Sequence, residues 1–181
     1  MLGDKFLRDE LNKFAKYVIQ QSRSNLTKGR APYGSFNDTK KLYNSMTFNV
    51  GQKGSTMSLA FEMEDYWKFK DKGVKGKSSS SKAPNSPFKF GTGSGQKGGL
   101  TKSIDKWVRR KGIQFRDRKS GRFLSYKQTG FIITRSIYQT GTRPSMFFTK
   151  PFEAAFKRLP NELVEAYSIG LEKQIQVNIN K

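Results

Sequence analysis

Apolar residues recur along this chain at two periods, and the switches between them mark its elements. From Asp4 to Ser22, the residues Phe6, Leu7, Leu11, Phe14, Ala15 and Val18 form one stripe at helical spacing. Lys5, Asp9, Lys13 and Lys16 fall mostly off that stripe, which predicts an amphipathic helix whose basic face is most simply solvated. A polar loop over 25–37 contains Gly29, Pro32 and Gly34. Asp38 suits the N-cap of a short helix through Asn44 that buries Leu42 and Tyr43. The period then drops to two at Met46, Phe48 and Val50, breaks at Gly51-Gln52-Lys53-Gly54, and resumes at Met57, Leu59, Phe61 and Met63. That pattern predicts an antiparallel hairpin with one face laid on helices.

Asp65 to Lys70 reads as a short helix stopping at Gly73, after which periodicity is lost. Residues 74–99 hold the serine run Ser78–Ser81, Pro84, Pro87, several glycines and scattered lysines, so a flexible basic loop is expected, with Phe88 and Phe90 able to anchor its middle. A structureless loop of that length in a small domain is usually functional or ordered by a partner. Leu100 to Lys111 is a second helix, with Ile104, Trp107 and Val108 inside and Lys102, Lys106, Arg109 and Arg110 outside, closed by Gly112. Residues 113–124 read as a short basic hairpin around Asp117-Arg118-Lys119-Ser120-Gly121.

The stretch from Tyr126 to Phe156 organises the C-terminal half. Tyr126, Gly130, Ile133 and Ile137 share a helical stripe flanked by Phe131 and Tyr138, and Gly141 ends the helix. Arg143 and Pro144 form a turn, Phe147 and Phe148 return to a core, and Thr149 or Lys150 caps a last helix with Pro151 in its first turn. That signature is one of docking rather than catalysis. Pro160 kinks or restarts the helix, Leu163, Val164, Tyr167 and Leu171 continue it, and the alternating tail Ile175–Ile179 leans to strand or disorder. The sum is an α+β fold: amphipathic helices on a small antiparallel sheet, one domain over 1–181, with an insertion at 74–99 and a basic hairpin at 113–124.

Composition changes the functional picture. The 181 residues carry 35 Lys and Arg against 14 Asp and Glu, a formal charge of +21 that calls for a polyanionic partner or a crowded assembly. Only 34% of residues are hydrophobic, but 15 Phe and 7 Tyr can still fill a core. Cys and His are both absent, which removes disulfides, thiolate metal sites and the commonest general base, so no enzyme, cofactor or metal is expected. No run is apolar enough for a signal peptide or a membrane span, and an intracellular, soluble chain is the simplest reading.

Three motifs carry chemistry in outline. Gly93-Ser94-Gly95-Gln96-Lys97-Gly98 matches G-x-G-x-x-G, but the strand before it is short and polar and no buried strand follows the helix, so a dinucleotide site is not expected. Glu62, Glu64 and Asp65 resemble a divalent-metal cluster, yet they serve more simply to balance the surrounding lysines. The basic region from Lys97 to Arg122 is the nucleic-acid candidate, through Lys102, Lys106, Arg109, Arg110, Arg116, Arg118, Lys119 and Arg122. Trp107, Phe115 and Phe123 fall at core positions, which leaves sequence-independent backbone contact as the expectation and base stacking as its weaker half.

With that order laid out, the chain resembles the tail-completion and neck proteins of tailed bacteriophages, the HK97 gp10-like family. The resemblance runs through the N-terminal helix, the short helix before a hairpin, and Tyr66-Trp67-Lys68-Phe69-Lys70-Asp71-Lys72-Gly73. It continues through Trp107-Val108-Arg109-Arg110-Lys111-Gly112-Ile113 and from Ile133 through Thr142-Arg143-Pro144-Ser145-Met146 to Phe148. It implies a non-enzymatic virion subunit, assembled in the host cytoplasm, forming a ring of six or twelve copies around the DNA channel where portal meets tail. The loop would then reach a neighbouring subunit through Lys75, Lys77, Phe88 and Phe90, and Arg143, Pro144, Phe147 and Phe148 would form the docking turn. The reading from a different class is a free, sequence-independent nucleic-acid-binding protein.

Overall fold

The helical stripe read at the N-terminus continues beyond Ser22, because Leu26 adds another buried position one turn on. Helix α1 therefore runs Leu2–Lys28 and ends at Gly29, whose φ of 64° and N–H to the Asn25 carbonyl close it. The computed structural model describes residues 2–29, 37–54, 56–93 and 98–179. Within the 1–181 span, the chain packs as two compact units, one made of residues 1–67 and 145–181 and the other of residues 68–144.

In the first unit, α1 is followed by α2 (Lys41–Ser45), β1 (Thr47–Lys53) and β2 (Thr56–Glu62). Asp38 is not the cap of α2; that position belongs to Lys40, in the left-handed region at φ 54°. The hairpin has the expected inward face, with Phe48 opposite Phe61 and Val50 opposite Leu59. Its pairing runs on to Lys53↔Thr56, so the reversal sits at Gly54, φ 59°, and not across 51–54. The C-terminal part of this unit is α6 (Thr149–Phe156) and α7 (Leu159–Ile179), with α7 lying along α1. Phe148, not Thr149 or Lys150, holds the N-cap position of α6. The break before Pro160 falls where expected, but the tail Ile175–Ile179 belongs to α7 and is neither strand nor coil.

Aromatic rings do the work that scarce aliphatics cannot. Phe147 is fully buried, and Phe148 meets Phe61 and Trp67 edge-on, each with ring centroids 5.3 Å apart. Phe14 and Phe152 complete the cluster at 5.7 Å. Edge-to-face pairs of this kind add to the burial of large rings.

The second unit contains the rest of α3 (Trp67–Lys72), β3 (Val74–Lys75), α4 (Gly99–Lys111), α5 (Tyr126–Thr140) and β4 (Gly141–Thr142). Helix α5 is fixed at its start by a reciprocal capping box between Ser125 and Gln128, and α4 ends on Gly112 at φ 64°. Gly130 lets α4 come close, since a Cβ there would already stand 3.4 Å from the Asp105 Cα. Together the helices and the two-stranded antiparallel sheets make an α+β fold.

The structureless loop expected over 74–99 is replaced, over 74–93, by a segment stitched into place. β3 pairs antiparallel with β4, and Lys75 also donates to the Phe88 carbonyl and accepts from the Phe90 N–H. Lys77 and Ser78 donate to the carbonyls of Tyr138 and Gln139 at the end of α5. Ser86 is buried and its hydroxyl donates to the Gly73 carbonyl at 2.7 Å, while its N–H donates to the carbonyl of Ala83, also buried. Backbone hydrogen bonding, which leaves no trace in hydropathy, organises this segment. Among the described residues, no helix is long and apolar enough to cross a membrane.

Candidate nucleic-acid interface

Helix α4 turns its apolar stripe inward, with Val108 fully buried and Ile104 and Trp107 half-buried. That register leaves Lys102, Lys106, Arg109 and Arg110 exposed, as expected. Arg109 is engaged on the surface: its Nε lies 3.0 Å from an Asp105 carboxylate oxygen, and its guanidinium sits 5.8 Å from the Tyr126 ring centroid. The other basic groups in the last turn also suit the negative end of the helix dipole.

The 113–124 segment does form a hairpin, built on a single antiparallel bridge between Arg116 and Phe123. Asp117 organises its turn, one carboxylate oxygen accepting from the Ser120 N–H at 2.7 Å, the Ser120 hydroxyl at 2.9 Å and the Lys119 N–H at 3.1 Å. Those hydrogen bonds, the Ser120 N–H first, hold the Asp117 carboxyl below its ordinary value. Gly121 supplies the left-handed residue, at φ 68°. The hairpin is tied to α5 through the Phe115 N–H, which donates to the Thr129 hydroxyl at 3.2 Å. Arg116, Arg118, Lys119 and Arg122 are all exposed.

Two core assignments fail here. Phe115 is 40% exposed and Phe123 is 60% exposed. The hairpin is held by one antiparallel bridge, and of its neighbours Leu124 is half-buried and Thr129 buried while these two rings stay exposed. The apolar content of the segment gave no sign of this. A usable signal was the density of cations around the Asp-x-x-Ser-Gly turn, which marks a surface hairpin.

The other expected sites separate. Lys75, Lys77, Phe88 and Phe90 gather near the end of α5, where Phe90 packs 5.7 Å from the Tyr138 ring and Phe88 4.6 Å from the Phe69 ring. Those two rings are therefore partnered within the chain. The docking turn is divided: Arg143 and Pro144 end the second unit, whereas Phe147 and Phe148 are core residues of the first. Among the described residues no group of acids is placed to hold a metal ion, and Glu64 is paired with Lys41 at 2.8 Å. The Gly93–Gly98 motif lies largely outside the described residues.

The division into units sorts the charge sharply. Residues 68–144 carry 20 Lys and Arg against three acids, Asp71, Asp105 and Asp117, a net +17 of the chain's +21. The rest carries 15 basic residues against 11 acids, a net +4. Of the three acids, Asp71 is buried, Asp105 pairs with Arg109, and Asp117 caps its own turn. No family model, curated protein or solved structure matches this chain.

Proposed function

We propose that this chain is a structural, non-enzymatic subunit of the head-to-tail junction of a tailed phage, which assembles as a ring and turns residues 68–144 toward the DNA. The observation that carries the DNA-facing part is the net +17 confined to that unit. A channel lining must hold DNA of any sequence, and contacts to phosphate do that because they carry no sequence information. Exposed Lys and Arg on α4 and on the 113–124 hairpin are suited to the task. Support for the ring comes from the resemblance of residues 66–73, 107–113 and 133–148 to neck and tail-completion proteins.

Light scattering at low and high salt, with and without duplex DNA, tests the reading. The expected result is a discrete ring-sized species that survives high salt without DNA, and DNA retention that weakens as salt rises. If about six phosphates are neutralised per chain, the slope of log K against log salt is about −5. A monomer that gains mass only with DNA overturns the ring and favours the free nucleic-acid-binding protein, a reading that the same charge division supports. A monomer that ignores DNA at low salt overturns both.

A further inference from the structure

Phe123 is the most exposed ring of the 113–124 hairpin, and it does not stand alone. Its bridge partner Arg116 projects on the same side of the hairpin and places its guanidinium 4.5 Å from the ring centroid. One face of the ring is thus covered by a cation, while the residue as a whole is 60% exposed. Phe115 lies one residue from the bridge and so on the opposite side, where its backbone is fastened to α5.

We propose that Phe123, backed by Arg116, is a stacking platform for an unpaired nucleobase, so that the hairpin binds single-stranded nucleic acid in preference to duplex. The proposal rests on the reading of residues 68–144 as a polyanion-facing unit and adds the substrate class. A base stacks on any flat ring regardless of sequence, but only when it is free of its own duplex neighbours. The flanking Arg118, Lys119 and Arg122 are exposed and within the same turn, where they can meet the phosphates on either side of that base. The hairpin's only acid, Asp117, is committed to the Ser120 and Lys119 hydrogen bonds.

Preorganisation strengthens the case. The Asp117 N–H donates to the Arg122 carbonyl, the Leu124 N–H to the Phe115 carbonyl, and the Gln114 side-chain amide to the Leu124 carbonyl. Phe123 is therefore presented on a hydrogen-bonded hairpin, which reduces the ordering needed on binding. The charge selects the occupant: sinking Phe123 into an apolar pocket of a protein would strip water from Arg116 and its cationic neighbours without compensation, whereas a nucleic-acid strand supplies an anion beside every base.

The experiment uses the full chain and fluorescence anisotropy with three probes of equal length: oligo-dT, an abasic strand with the same phosphates, and duplex DNA, at matched salt. The expected result is tighter binding of oligo-dT than of the abasic strand by about 5- to 150-fold, the range for one stacked base. Phe123→Ala should bring oligo-dT down to the abasic level while leaving the abasic affinity unchanged. Phe123→Leu should do nearly the same, because leucine keeps apolar area without a flat π face. Equal binding of oligo-dT and abasic strand by the unaltered chain overturns stacking and leaves polyanion binding intact. A preference that persists in Phe123→Ala overturns the assignment to this residue. Loss of self-association in Phe123→Ala with unchanged oligo-dT binding assigns the ring to contact with a second copy instead. Failure of all three probes at low salt overturns the underlying polyanion reading.

Discussion

Gly141 is where the 74–93 segment is fastened to the end of α5, and Gly141→Ala tests whether that fastening holds the second unit together. Its backbone has φ 80° and ψ −175°, a region that an L side chain enters at a cost of about 1–3 kcal/mol. An added Cβ would also run into the Val74 carbonyl oxygen, with the Gly76 nitrogen at 2.6 Å and the Lys75 carbonyl carbon at 2.9 Å. All three are backbone atoms of β3 or its continuation, so none can rotate aside. Relief requires prising β3 from β4, a further overpacking cost of about 1–3 kcal/mol. The sum is about 2–6 kcal/mol. At about 0.05–0.15 kcal/mol per residue, a unit the size of 68–144 holds about 4–12 kcal/mol, so the substitution removes a large share of it.

Hydrogen exchange read by segment under a urea series is the assay. Protection should collapse first over 74–90 and the end of α5, and the urea midpoint of the second unit should fall. Gly112→Ala is the control, since Gly112 has φ 64° but nothing within 4 Å of the position of a Cβ. It bears only the left-handed cost of about 1–2 kcal/mol. Equal losses in the two variants would refute the clash argument, and an unmoved 74–90 segment in Gly141→Ala would refute the fastening.

Three more outcomes are expected. Phe147→Ala empties a fully buried ring from the first unit's core and should cost about 3–5 kcal/mol in a denaturant melt, with a loss under 1 kcal/mol showing that the site collapses. Ser125→Ala removes the capping box of α5 and should cost about 1 kcal/mol, read as lost amide protection at Gln128 and Thr129. Asp117 has its folded carboxyl held below the ordinary 3.8 by the Ser120 and Lys119 donors, so its support of the turn is full above that value and is lost as pH falls through the lower one. The Ser120 amide resonance should therefore move with a midpoint below 3.8, and a midpoint at or above 3.8 would sink the account.

Periodicity was a sound guide wherever one face of an element meets a core. The α1 stripe, the paired alternation of β1 and β2, the α4 stripe and the Gly141 stop all stand where hydropathy and glycine place them. It failed where backbone bonds or solvent decide. The polar 74–93 segment is held by main-chain donors and acceptors that any side chain carries, so its order could not be read from composition. Phe115 and Phe123 read as core residues, yet both are exposed on a hairpin held by one bridge. The Tyr126–Phe156 stretch reads as one docking element because its helix and turn signals are continuous, yet the boundary between units falls after Pro144. A boundary of that kind depends on contacts distant in sequence, such as Trp67 with Phe148.

That same pair belongs wholly to the first unit. The chain leaves the first unit at Trp67 and returns at Ser145, and the Trp67 and Phe148 rings, 5.3 Å apart, close the exit against the return. Residues 68–144 are thus an insertion whose host core is completed without them. The host, at net +4, gathers its stability from aromatic packing, while the insertion at net +17 bears self-repulsion that opposes its own compactness. Screening should relieve the insertion selectively, because the Debye length shrinks from about 10 Å at 0.1 M to about 3 Å at 1 M salt. Hydrogen exchange over 68–144 should therefore slow as salt rises, and slow further with a short polyphosphate that binds the folded unit, while exchange in α1 and the β1–β2 hairpin changes little. If both units respond alike, charge is not what distinguishes them, and the case for 68–144 as the DNA-facing part loses its physical basis.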